Sequence, residues 1–196
     1  MDNDSYKTIT AQGGEGYYTE KRSKFLAFAH HIETVEEAMA IIDGYRKKYY
    51  DARHCCYAYM LGADRQTFRA NDDGEPSSTA GKPILGQINS RELTNVLVCV
   101  IRYYGGVNLG TGGLIVAYRT AASDALDHAV VEERLVEEQV AFDFTYPMMN
   151  GVMRIVKEMD VRIVCQQFEA SCSITLSIRK SQAGTLRLRL AKLSFE

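Results

Sequence analysis

Tyr103-Tyr104-Gly105-Gly106-Val107-Asn108-Leu109-Gly110-Thr111-Gly112-Gly113-Leu114-Ile115-Val116-Ala117-Tyr118 packs five glycines into nine residues. The stretch lies between an unbroken apolar run, residues 96–101, and a segment of helical periodicity. The apolar run has the character of a strand buried on both faces of a sheet. After the glycines, Leu114, Ala117, Tyr118, Ala121 and Ala125 recur at helical spacing, which predicts a helix to about residue 131 with Thr111 as its N-cap. The loop therefore ends on exposed helix N–H groups, a terminus that attracts anions. It lacks the Gly-Lys-Ser/Thr ending of a P-loop.

Upstream, residues 24–32 read as a strand, and Thr34 with Glu37 forms a capping box for a helix whose apolar face is Val35, Ala38, Met39, Ile42 and Tyr49. Residues 54–61 and 67–70 read as a hairpin turning at 62–64. Residues 71–86 hold too many breakers for one regular element, with a short helix expected over 84–91. Downstream, the acidic run at 132–138 marks a boundary, giving expected domains 1–134 and 135–196. Past it come a strand over 140–146, Pro147 at a helix start, and an apolar helix face of Val152, Ile155, Val156 and Met159. A hairpin follows, with Val161, Ile163 and Cys165 alternating on one strand and Cys172, Ile174, Leu176 and Ile178 on the other. The segment around Leu186, Leu188 and Leu190 fits either a strand or a helix from about Ser181; a βαββα unit is the preferred reading.

The 196 residues suit one large or two small domains, and a 46% hydrophobic content supplies packed cores. With 23 basic against 25 acidic residues the chain is no histone-like polycation, so any nucleic-acid contact must be local. No stretch approaches the roughly 18–20 apolar residues of a membrane span, and the polar N-terminus has no leader-like core, so a cytoplasmic protein without membrane partners is expected. Five cysteines without a Cys-x-x-Cys pair point to reduced thiols; Cys165 and Cys172 would face each other across a tight hairpin as packing residues.

Three motifs, His54-Cys55-Cys56-Tyr57-Ala58-Tyr59, Asp72-Asp73-Gly74-Glu75-Pro76 through Thr79-Ala80-Gly81-Lys82-Pro83-Ile84-Leu85, and Arg102 to Leu114 with Ala117-Tyr118, resemble in order and spacing the IMPACT family in its bacterial YigZ branch, over roughly residues 20–130. The region from about Val140 resembles the small C-terminal domain of the bacterial members. The resemblance implies an α+β protein. Its N-terminal part would have the left-handed βαβ fold of ribosomal protein S-five domain 2 and elongation factor G domain IV. Its C-terminal part would be ferredoxin-like, βαββα. It also implies a link to translation, since eukaryotic family members restrain a starvation-sensing kinase by competing for its activator. Their extra N-terminal binding domain has no counterpart here, so the kinase role is not carried over.

Each candidate residue has a plainer alternative. Lys82, Arg102, Tyr103, Tyr104, Gly105, Gly106, Gly110, Thr111, Gly112 and Gly113 form an anion- or RNA-binding set, with tyrosines to stack bases and amides to take phosphate; equally, the glycines serve a tight strand-to-helix connection. His54, Asp73, Glu75, Ser78 and Thr79 form a polar pocket, or else an ordinary solvated turn. His30, His31, His54 and His128 lack ligand spacing, so no metal centre is expected, nor any cofactor. Tyr57 and Tyr59 share a strand face and read first as core. The leading expectation is a non-enzymatic binding protein that contacts RNA, the ribosome or a protein partner. The alternative is a small-molecule enzyme acting on a phosphorylated or nucleotide ligand, with Mg2+ near Asp73 and Glu75.

Overall fold

The computed structural model describes residues 4–168 and 172–195. The chain forms two compact units: Tyr6–Arg134, and the part from Leu135 onward together with the residues before Tyr6.

In the larger unit, β1 (Ser5–Ile9), β2 (Gly14–Glu20) and β3 (Ser23–His31) precede α1 (Val35–Lys48). Then come β4 (His54–Leu61), β5 (Thr67–Asn71), α2 (Gly81–Ser90), β6 (Val96–Tyr103) and α3 (Gly110–Asp127), and β7 (Val131–Leu135) pairs with β1. The main sheet runs β2-β3-β6-β4-β5 with every neighbouring pair antiparallel. β3 and β4 both oppose β6 and so run parallel to each other, joined through α1 as a β-α-β crossover.

β6 is apolar throughout because each of its faces meets a separate core. Val96, Val98 and Val100 pack with Ile84 and Ile88 of α2 and with Ala117, Tyr118, Ala121 and Ala125 of α3. Leu97, Cys99 and Ile101 pack on the other side with Ala38 and Ile42 of α1. Tyr57 and Tyr59 belong to the α1-side core, so they are packing residues and not base platforms.

The helix ends differ in chemistry. Thr34 caps α1 by accepting from Glu37 N at 3.1 Å, while the Glu37 carboxylate takes the N–H of Glu33 at 2.7 Å instead of that of Thr34. α2 starts at Gly81, three residues before the expected 84, because Asp72 caps it from a distance: its Oδ1 accepts from Ala80 N (3.0 Å) and Gly81 N (2.8 Å), and its Oδ2 from Ser78 N (2.8 Å). α3 starts at Gly110 with Leu109 in the cap position and no side-chain cap. Thr111 is therefore inside the helix, and the expected cap is absent. α3 also ends at Asp127 rather than near 131, and the acidic run expected to mark a boundary forms most of β7 and the start of β8 (Glu137–Phe144).

The smaller unit continues from β8 through a 3-10 turn at Tyr146–Met148, with Pro147 in its first residues, into α4 (Met149–Glu158), β9 (Arg162–Phe168), β10 (Cys172–Arg179) and α5 (Lys180–Lys192). Its antiparallel sheet is ordered β8-β10-β9. The ambiguous last segment is helical: Ala183, Leu186 and Leu190 bury one face against β10 residues such as Ile174 and Leu176. Cys165 pairs with Thr175 and Cys172 with Phe168, so the two thiols do not oppose each other. The expected turn at 168–169 falls partly outside the described residues.

Candidate anion-binding site

Strand alternation decides the floor of the site. Val96, Val98 and Val100 face α2 and α3, and the next position on that face is Arg102, which is only 5% exposed. A guanidinium at a core position must be paired to be tolerated. Its Nη1 lies 2.5 Å from Glu75 Oε1, and Tyr118 of α3 donates to the same oxygen at 2.7 Å. The Cys56 thiol donates to the Tyr118 hydroxyl at 3.3 Å. Burial, before any neighbouring charge, pushes both the Tyr118 hydroxyl and the Cys56 thiol well above their ordinary values, so both stay protonated donors.

His54 stands opposite Arg102 in the strand register. Its Nδ1 is 2.7 Å from the Asp73 carbonyl, which only accepts, so that nitrogen carries a proton. Its Nε2 is left 3.8 Å from Glu75 Oε2. Arg102 Nε, by contrast, is buried without a hydrogen-bond partner among the described residues.

Above this floor is a hollow of about 510 Å³, lined by Arg53, His54, Gly74, Glu75, Pro76, Arg102, Tyr104, Asn108, Leu109, Gly110, Thr111 and Leu114. It joins the Asp-Gly-Glu-Pro bend to the start of α3. No side chain or loop carbonyl among the described residues accepts from the N–H of Gly110, Thr111 or Gly112, and first-turn amides have no partner inside a helix. Tyr104 is 42% exposed; its ring centre lies 5.6 Å from the Arg102 guanidinium and 5.8 Å from that of Arg53, and its hydroxyl donates to Asn108 at 3.1 Å. A second hollow of about 240 Å³ lies on another side of the same terminus, lined by Tyr18, Glu20, Lys21, Leu109, Gly112, Gly113 and Val116.

The glycines divide by cause. Gly105 is a packing requirement, since a Cβ there would lie 2.2 Å from the Arg22 carbonyl carbon. Gly106 (φ 84°) and Gly110 (φ 71°) satisfy backbone conformation. Gly112 has neither reason: its φ is not positive, and a Cβ would meet nothing within 4 Å.

Several residues expected in a site are instead structural. Arg102 is not a free surface cation, because Glu75 neutralises it. Lys82 is exposed in α2 and does not line the hollow. Tyr103 donates to Asp51 at 2.9 Å. Asp73 accepts from Arg46 at 3.1 Å and from Cys55 N at 2.7 Å. Ser78 contributes its N–H to Asp72, and the buried Thr79 hydroxyl donates to the Pro76 carbonyl at 2.6 Å, so neither enters the pocket. Asp73 and Glu75 are thus held by different partners, and among the described residues no three His, Cys, Asp or Glu side chains gather to hold a metal. Sequence reasoning passed over Arg53 and read Tyr118 only as a residue of the helix's apolar face. A charge continuing the Val96, Val98, Val100 alternation was the available signal for a buried ion pair.

Residues 21–126, which contain every residue lining the larger hollow, match the Impact N-terminal domain. The chain belongs to the IMPACT family. It is 31% identical to IMPACT family member YigZ of Escherichia coli, covering 89% of this chain and 86% of that protein. An IMPACT family member of Haemophilus influenzae is 34% identical over 89% of this chain and 85% of its own length. The structure is also similar to a crystal structure titled only as a hypothetical protein, with a TM-score of 0.76, 30% identity, and coverage of 97% and 93% of the two chains. Among the described residues of this IMPACT-family chain, no helix is long and apolar enough to cross a membrane.

Proposed function

We propose that this chain is a cytoplasmic, translation-linked binding protein that holds phosphate of RNA or of the ribosome at the start of α3. One observation carries the reading: the uncapped first turn of α3 shares a hollow with a buried arginine whose Nε has no partner. Free amides and a helix terminus worth about half a positive charge hold an anion without requiring a basic protein. Membership of the IMPACT family, whose resemblance implies a link to translation, supports the same reading. A competing protein ligand is the outcome to expect if RNA and ribosomes are not retained.

The charges that would displace counterions are Arg53 beside one hollow and Lys21 beside the other, since Arg102 is neutralised by Glu75. Binding of single-stranded RNA, and co-sedimentation with ribosomes, should weaken as salt rises. Replacing Arg53 and Lys21 by alanine should reduce the log–log salt slope by about 0.7 for each phosphate that is no longer neutralised. Retention that is absent, or indifferent to salt, would overturn the proposal.

A further inference from the structure

We infer that the larger hollow receives a phosphomonoester carrying a nucleoside, either the phosphorylated end of an RNA strand or a free mononucleotide, with its base on Tyr104. The inference rests on the proposed function and narrows it from phosphate in general to a terminal phosphate. Arg102 lines the hollow yet is only 5% exposed, so an anion that engages its guanidinium must reach the floor. A chain-internal phosphodiester has to enter and leave, offers two free oxygens and carries one charge. A monoester enters once, offers three oxygens and carries about 1.5–2 charges at neutral pH. Arg53 and Arg102 against Glu75 leave one surplus positive charge, to which the α3 terminus adds about half. That balance matches the monoester better than the diester.

Tyr104 supplies the second half of the recognition. Its hydroxyl is fixed by Asn108 and both arginines lie near its ring, yet 42% of the residue stays exposed, so it is held in place as a stacking surface. The volume, about 510 Å³, falls within the range of small-ligand sites.

The test compares short single-stranded RNAs of one sequence bearing a 5′-phosphate, a 3′-phosphate or only hydroxyl ends, together with free AMP, by equilibrium titration of the full chain. A phosphorylated end should bind at least about tenfold tighter than the hydroxyl-ended strand, the gain of a charge-assisted contact set. AMP binding as tightly as the phosphorylated strand would support the free-nucleotide source. Tyr104→Leu, at the surface, should weaken the phosphorylated ligand about tenfold. Arg102→Lys, which keeps a charge beside Glu75 but removes the planar guanidinium fork, should abolish the end preference. If that variant unfolds, Arg53→Ala should still reduce the preference. Equal, salt-dependent binding of all three strands would overturn this inference and leave the proposed function standing. No binding by any ligand would overturn both.

Discussion

Glu75 Oε1 receives both the Arg102 guanidinium and the Tyr118 hydroxyl in a setting where none of the three residues is more than 8% exposed. Arg102 exists at a core-facing position because Glu75 is there, and Glu75 is there because the Asp-Gly-Glu-Pro bend delivers it under α3. Removing one member leaves the other charge buried and uncompensated, whereas removing both does not. Glu75→Gln and Arg102→Met should each lower unfolding free energy by about 3 kcal/mol, and the double variant should be less destabilised than the sum by at least about 1.5 kcal/mol. Urea unfolding of the four proteins measures this coupling, and strictly additive losses would mean that the pair is not a unit. Glu75→Gln should also bind inorganic phosphate more tightly than the native chain, because it frees Arg102's charge.

At the scale of elements, α3 begins on a residue that cannot cap it, and it carries at Gly112 a glycine that the protein's own packing does not need. A glycine in a helix costs up to about 1 kcal/mol relative to alanine, the full amount applying to the interior and less to the first turn, where Gly112 stands. Gly112→Ala should therefore raise the melting temperature or leave it unchanged while weakening RNA retention, since a methyl group then stands beside the first-turn amides. A variant that loses stability and keeps full binding would assign Gly112 a structural role. Much of this element was legible in the sequence: the buried strand, the glycine connection and the apolar helix face follow from periodicity alone. The helix start was not, because Thr111 has the chemistry of a cap but the chain turns into α3 two residues earlier, with Leu109 in the cap position. Nor was the early start of α2, since its cap, Asp72, lies eight residues before Ala80 and is recognised only once the bend has formed. The polar bend read as a pocket for the same reason: Asp72, Asp73, Ser78 and Thr79 are short polar residues whose partners are set by folding, and in the folded chain those partners are backbone groups, with Arg46 in addition for Asp73.

For the molecule as a whole, the acidic run expected to mark a boundary is taken up by β7 and the start of β8, and the residues before Tyr6 group with the part from Leu135 onward. Val136 N donates to the Asp4 carbonyl at 2.6 Å, and the Asp4 carboxylate accepts from both the N–H and the hydroxyl of Ser181 in the first turn of α5. Arg179, in the cap position of α5, makes no side-chain cap bond, so Asp4 caps that helix from the far end of the chain. A fragment of residues 6–134 should therefore fold cooperatively and keep its RNA retention, since it holds every residue of its own unit. A fragment of 135–196 should melt below the same segment in the intact chain, because it lacks its cap. The Ser181 bonds, acting foremost through the hydroxyl, hold the Asp4 carboxyl below its ordinary value of 3.8. A carboxylate depressed in the folded state stabilises above that value and loses its contribution as the pH falls through the folded pKa. Asp4→Ala in the full chain should accordingly lower the melting of the smaller unit at pH 7, and the difference from the native chain should shrink on acidification below about pH 4. An Asp4→Ala variant that melts like the native chain at pH 7 would show that the segment acts through its backbone pairing with Val136, which the substitution leaves in place, and not through the carboxylate.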